Sequence, residues 1–320
     1  MLGPWAEAEE GERGMHRAMR RALDAWPEAA REIGDAGGRD AGYRESGSVL
    51  VASRPEHLGM VRRRLATLTA WGEPVAWASG EDLRDLEPGL GPAVTGGVDL
   101  PAEHQVEPRA LLGALADACA AAGVRRVGGS VTALLGRPVD GVRLEDGARI
   151  RAGRVVLAAG RAAARLAGRA AIRPVKGQIL RLRATPTAPI PVRRMVRTPS
   201  VYLAPRDGEL VVGATSEERA DRRVTAVAVA ELLREALRVV PEVAELELAE
   251  AAAGLRPAAP DGIPVVGIDP EDGLVWATGG HRHGILLAPL AAEAAVAAAS
   301  GRAVPHWALP WSPERFPACG

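Results

Sequence analysis

Residues 139–160, with the sequence VDGVRLEDGARIRAGRVVLAAG, decide the fold class. Two Asp-Gly pairs divide the first part and are typical of hairpin turns between short strands. The apolar run at 155–158 predicts a buried strand, which ends at Ala159 and Gly160. A helical run at 108–122 and a strand-like run at 124–136 come before it. This order of helix, hairpin, buried strand and glycine turn predicts the outer part of a dinucleotide-binding sheet.

The segments on either side of this stretch predict two interleaved domains. Strand patterns dominate residues 43–52 and 175–215, and amphipathic helices are predicted at 12–33, 55–71 and 225–240. We therefore assign residues 1–34, 101–169 and 256–320 to an incomplete dinucleotide-binding domain. Residues 35–100 and 170–255 are assigned to an antiparallel-sheet domain. The fold class is α/β with α+β character.

Charge and cysteine content exclude several classes of function. The chain has 320 residues, with 40 Lys plus Arg and 40 Asp plus Glu, so no net field attracts nucleic acid or an anionic membrane. The longest apolar stretch, 284–300, is interrupted by Pro289 and Glu293 and is too short to span a bilayer. The two cysteines have no paired spacing, so we expect no disulfide framework and no metal site, which favours a reducing cytoplasm.

Three stretches carry a resemblance to a known family. They are GLRPAAPDGIPVVG at 254–267, SVYLAPRDGELVVGATSEE at 200–218 and LVWATGGHRHGILLAP at 274–289. As a set they resemble the D-amino-acid oxidase superfamily, and within it the glycine oxidases of the thiamine pathway. The resemblance implies a Rossmann-like FAD-binding domain interleaved with a substrate domain. It also implies oxidative deamination of glycine or a similar small amine by FAD and oxygen, giving an oxo acid, ammonia and hydrogen peroxide for thiazole synthesis.

The resemblance assigns three residues to the substrate. Arg256 would bind the substrate carboxylate, since a guanidinium meets a carboxylate through two parallel charge-assisted bonds. Tyr202 would give the same carboxylate a hydrogen bond, and Arg282 would lie near the substrate. Two alternatives stay open: an ion pair of Arg256 with Asp261, and a half-buried strand aromatic at Tyr202.

The same resemblance assigns residues to the cofactor, chiefly in a glycine-rich loop that we expect to feed a helix starting near Gly284. The predicted FAD contacts are Met1, Val131, Gly160, Gly279, Gly280, His281, Arg282, His283, Gly284, Ile285 and Leu286. The loop departs from the family pattern, because Gly280 replaces a histidine and His283 an asparagine. Ser200 and Ser216 likewise stand where a histidine and a methionine are usual. His281 and His283 have no third metal ligand nearby, so we expect no metal.

The phosphate-binding motif of such a family, GxGxxG, does not occur in the sequence. The opening MLGPWAEAEEG resembles a family segment beside the flavin ring, so Met1 aligns with an internal methionine. Two explanations are open: the protein is longer upstream, which we favour, or the short chain is the product and holds FAD poorly. The alternative functions are a sarcosine or D-amino-acid oxidase, or a non-catalytic remnant. A homo-oligomer also stays open.

Overall fold

The computed structural model describes residues 1–168 and 172–316. The α helices in these ranges are α1 (Arg13–Gly37), α2 (Pro55–Ala70), α3 (Gly80–Leu86), α4 (Pro108–Ala121), α5 (Ala163–Ala167), α6 (Ala226–Val239) and α7 (Ala288–Ala299). The strands are β1 (Tyr43–Arg44), β2 (Ser48–Ala52), β3 (Trp77–Ser79), β4 (Gly96–Leu100), β5 (Gln105–Val106), β6 (Val131–Leu135), β7 (Gly141–Leu144), β8 (Arg149–Arg151), β9 (Val156–Leu157), β10 (Arg173–Arg183), β11 (Met195–Arg197), β12 (Tyr202–Arg206), β13 (Glu209–Gly213), β14 (Glu247–Ala258), β15 (Val265–Ile268) and β16 (Val275–Thr278). No helix of the described residues is long and apolar enough to cross a membrane.

The chain divides into two compact units, each built from three segments. The first unit comprises Met1–Leu23, Gly42–Leu111 and Lys176–Gly254, and the second comprises Asp24–Ala41, Leu112–Val175 and Leu255–Gly320. These limits differ from the predicted domain limits at residues 1–34 and 101. The predicted limit between residues 169 and 170 lies outside the described residues. Backbone pairing explains the difference at residue 101, because β5 (Gln105–Val106) pairs antiparallel with β1 (Tyr43–Arg44) in the first unit. The function of each unit stays a prediction.

The first unit contains most of an eight-stranded sheet in the order β14-β10-β13-β12-β11-β2-β4-β3, in which β10 and β14 extend beyond the limits of the unit. Among the described residues, β10, β13, β12 and β11 pair antiparallel in turn, as do β2, β4 and β3, and only β11 with β2 is parallel, which confirms the predicted antiparallel character. Helix α6 contributes Leu232 and Ala236 to the core cluster that also holds the strand residues Val49 and Leu203. The helix predicted at 225–240 is thus amphipathic as expected, with Leu232 and Ala236 buried and Leu237 38% exposed.

The second unit contains two small sheets. Strand β16 pairs antiparallel with β15 and parallel with β9, and β6, β7 and β8 form an antiparallel meander. Leu157 and Trp276 lie in the core of this unit. The apolar run at 155–158 was expected to be a fully buried strand, but Val156 is 46% exposed.

Candidate functional site

The site loop, which we define as residues 279–286, follows strand β16 in the second unit. It contains one turn of 3-10 helix, His281–His283, in which the His283 N–H donates to the Gly280 carbonyl. Helix α7 begins at Ala288, so the expected helix start near Gly284 is wrong. Pro289 explains the shift, because proline is favoured in the first turn of a helix. The loop glycines therefore lie too far from the helix N-terminus to share its dipole.

Backbone crowding accounts for the glycine pair of the site loop. Gly279 has a φ of 77°, a region that favours glycine. A Cβ placed on Gly280 would lie 2.7 Å from the Gly284 Cα atom, which is closer than real Cβ contacts. A histidine, which the resemblance gives as the usual residue at position 280, would therefore not fit this loop. Gly280 is required by the close approach of two backbone segments.

Gly280→Ala is expected to destabilise the protein by about 1–3 kcal/mol, the usual cost of overpacking, since the atoms met are backbone atoms that cannot move aside. Gly284→Ala is the matched control, because its nearest neighbours would lie 3.9 Å from the new Cβ. Urea unfolding of the two variants measures the difference. Equal unfolding free energies would contradict the assigned backbone contact.

Arg256 lies near the site loop. It is half-buried in strand β14, and Ala258 of that strand forms a β-bridge with Gly280. The Arg256 charge also contributes to the lowered pKa of His281. Asp261, the alternative partner proposed from the sequence, binds Arg315 through both carboxylate oxygens at 2.8 and 3.3 Å.

His281 is held in its neutral form. Burial, followed by the charges of Arg256 and Arg282, lowers its pKa from 6.5 to about 4, with smaller contributions from His283 and Arg173. The Nε2 atom is buried without a hydrogen-bond partner among the described residues. The backbone of His281 has a φ of 43°, a region that is uncommon for residues other than glycine. A strained backbone and an unpaired buried nitrogen on one residue are typical of a ligand-binding position.

The lowered pKa predicts that stability falls with acidification. As pH decreases from about 6.5 towards about 4, His281 becomes protonated in the unfolded chain but stays neutral in the folded protein. The contribution of this residue to the free energy of unfolding is therefore lost in that pH range. Nuclear magnetic resonance of the imidazole should show a midpoint near 4. His281→Asn, which tolerates positive φ and does not titrate, should lose less stability over the same range. A His281 midpoint at 6.5 would contradict the assigned environment.

Two predicted cofactor residues of the second unit remain, and one of them, Gly160, lies near the site loop. The Thr278 hydroxyl at the end of β16 donates to the Gly160 carbonyl at 3.1 Å. Gly160 has a φ of 53°, and no atom lies within 4 Å of the position that a Cβ would take. Val131 starts strand β6 of the other small sheet, so its predicted contact with the adenine stays a prediction.

Met1 and Tyr202 lie together in the first unit. Both pack against a cluster of the buried residues Met195, Ala204 and Val211. Tyr202 is half-buried at the start of strand β12. The unit thus brings together its two predicted site residues on one face of the large sheet.

Ser200, which replaces the histidine usual in the family, has a histidine as neighbour. The Nε2 atom of His57 lies 2.9 Å from the Ser200 hydroxyl and 2.9 Å from Nη2 of Arg54. Because a guanidinium only donates, His57 Nε2 must accept, which places the proton on Nδ1. Burial and the Arg54 charge lower the pKa of His57 in agreement with a neutral ring. No spacing in the sequence predicts this pairing.

Comparisons with known proteins agree with the resemblance. Residues 1–298 match the family model described as DAO, FAD dependent oxidoreductase. The chain is 33% identical over 272 residues to the hydrogen cyanide synthase subunit HcnC of Pseudomonas aeruginosa, covering 82% of this chain and 64% of that protein. It is 33% identical over 299 residues to the bifunctional protein ThiO/ThiG of Trichormus variabilis, covering 91% and 45%. Both matches span less than two thirds of the relative's length.

The fold is similar to a solved structure as well. The crystal structure of glycine oxidase from Geobacillus kaustophilus superimposes with a TM-score of 0.88 and 30% identity, covering 97% of this chain and 85% of that one. This similarity confirms the predicted α/β fold class.

Proposed function

Because the chain belongs to the DAO family of FAD-dependent oxidoreductases, we propose that it oxidises glycine or a similarly small amine, with FAD as cofactor and oxygen as electron acceptor. The products would be an oxo acid, ammonia and hydrogen peroxide. The observation that supports this most is the position of Arg256, a half-buried cation on the strand that bridges to the site loop. A guanidinium there suits a substrate with a carboxylate.

The second unit has features that fit a flavin. No atom lies within 4 Å of the position that a Cβ on Gly160 would take. The buried Nε2 of His281 has no hydrogen-bond partner among the described residues. We propose that Gly160 and the site loop hold the cofactor. When bound, FAD would accept the hydride that leaves the α-carbon of the amine.

The proposed roles of the chain's own residues are binding and orientation. The two N–H groups of one Arg256 edge would hold both carboxylate oxygens, which fixes the direction of the α-carbon. The Tyr202 hydroxyl would donate a further hydrogen bond to the carboxylate. Arg282 is exposed in the site loop and would add positive charge. His281 carries no charge at neutral pH, so it would not compete with the arginines for the anion.

Flavin reconstitution and peroxide release test this proposal. The purified chain is mixed with FAD, and hydrogen peroxide is measured with glycine, sarcosine, D-alanine and methylamine. Glycine should give the highest kcat/KM, and methylamine, which has no carboxylate, should be a poor substrate. A protein that binds no FAD at saturating concentration would overturn the proposal, and a preference for sarcosine or D-alanine would favour the alternative oxidases.

The resemblance to the glycine oxidases of the thiamine pathway supports a further assignment. We propose that the product of glycine oxidation is used in thiazole synthesis. On medium without thiamine, deletion of this gene should cause a growth defect that added thiazole relieves. Growth that is independent of thiazole would contradict the assignment.

A further inference from the structure

Tyr202 belongs to a cross-strand row in the first unit. It pairs with Gly213 of strand β13 on one side and with Arg197 of strand β11 on the other, and Gly213 pairs in turn with Ile179 of β10. Residues directly opposite each other on adjacent strands point to the same face of a sheet. Gly213 is thus the one member of these four without a side chain, and it is next to the aromatic residue.

The phenol of Tyr202 occupies the space above Gly213. A Cβ placed on Gly213 would lie 2.6 Å from both the Oη and the Cζ atom of Tyr202, and 2.8 Å from Cγ2 of Ile179. These three nearest atoms all belong to side chains. An added methyl group would therefore push the ring aside without a direct clash with the backbone of the sheet.

On its other side, Tyr202 is next to Arg197, a buried cation that ion pairs hold in place. Arg197 is 5% exposed and is bound by the carboxylate of Glu7, with Glu103 at 3.7 Å. Glu103 is itself held by the Ala6 N–H at 2.7 Å and by the Ser48 hydroxyl. A side chain held in this way cannot make room for a displaced ring.

We infer that Gly213 is a positioning residue, whose missing side chain sets where the Tyr202 hydroxyl lies. This inference rests on the proposed function, in which that hydroxyl binds the substrate carboxylate. A larger residue at 213 would move the hydroxyl away from its place and weaken substrate binding, while the fold is kept.

Steady-state kinetics of the reconstituted full chain test the role. Gly213→Ala should lower kcat/KM for glycine by about 10- to 100-fold, mainly through KM, since a hydrogen bond to a charged group is worth about 1.5–3 kcal/mol. Gly14→Ala is the control, because a Cβ there meets no atom within 4 Å. In a Tyr202→Ala background, Gly213→Ala should change kcat/KM by less than ~2-fold, since the two residues act through one group. Additive effects would overturn the inference.

A spectroscopic measurement reports on the ring itself. The chain has two tyrosines, so labelling with carbon-13 at Cζ gives two signals, which Tyr43→Phe assigns. Gly213→Ala should shift the Tyr202 signal and leave that of Tyr43 in place, whereas an unmoved Tyr202 signal would refute the contact. If Gly213→Ala fails to fold, the double variant with Tyr202→Ala should fold again, and continued unfolding would also refute it. These readouts need no turnover, so they remain decisive if the wild-type chain does not oxidise glycine and the proposed function fails.

Discussion

Arg256→Ala is expected to lower kcat/KM for glycine at least ~100-fold. The reason would be the loss of the two charge-assisted hydrogen bonds that Arg256 is proposed to make to the carboxylate, each worth about 1.5–3 kcal/mol. Arg256→Lys keeps the charge but loses the planar fork, so it should recover only part of the activity. The measurement is peroxide release over a range of glycine concentrations, with FAD content determined for each variant.

A control variant and a substrate without a carboxylate distinguish loss of substrate binding from loss of structure. Arg302 is a suitable control in the same unit, because it is exposed and its Nε donates to the hydroxyl of nearby Ser300 at 3.0 Å. Arg302→Ala should behave like the wild type. Oxidation of methylamine, although slow, should be almost unaffected by Arg256→Ala, because that substrate has no carboxylate. An equal loss for glycine and methylamine would show that Arg256 supports the fold or the flavin and does not bind the carboxylate.

Periodicity in the sequence predicted most of the helices within a few residues. The expected helices at 55–71, 108–122 and 225–240 correspond to α2, α4 and α6, since an amphipathic stripe fixes both the helix and its buried face. The strand expected at 43–52 is divided into β1 and β2, because Gly47 has a φ of 68° and interrupts the extended chain. The helix expected at 12–33 continues to Gly37, and Pro27 inside it does not end it.

The candidate site was predictable only where it is contiguous in sequence. The site loop could be recognised from its own glycine-rich sequence. Arg256 and Tyr202 were predicted only through the resemblance to a family. The contact between Gly213 and Tyr202 depends on the register of β12 and β13, which spacing along the chain does not encode. The same holds for Arg197, whose carboxylate partners Glu7 and Glu103 lie far away in sequence.

Trp26→Ala is expected to destabilise the second unit by about 3–5 kcal/mol, the usual cost of removing a buried tryptophan. Trp26 lies in α1, is 1% exposed, and donates its indole N–H to the carbonyl of Leu286 at 2.9 Å. Leu286 is the last residue of the site loop and is itself buried. The variant therefore loses packing in the core and one fixed point of the loop. Urea unfolding and FAD titration measure the two effects.

A pair of tryptophans separates the hydrogen bond from the packing. Trp276 of the same unit is 0% exposed, but its indole nitrogen has no partner among the described residues. Trp26→Phe leaves the Leu286 carbonyl without its donor at a cost of about 1–3 kcal/mol, whereas Trp276→Phe removes an unpaired N–H and costs only packing. We expect Trp26→Phe to be the more destabilising substitution and the only one of the two that weakens FAD binding. If both variants bind FAD equally, the hydrogen bond between α1 and the site loop does not contribute to cofactor binding.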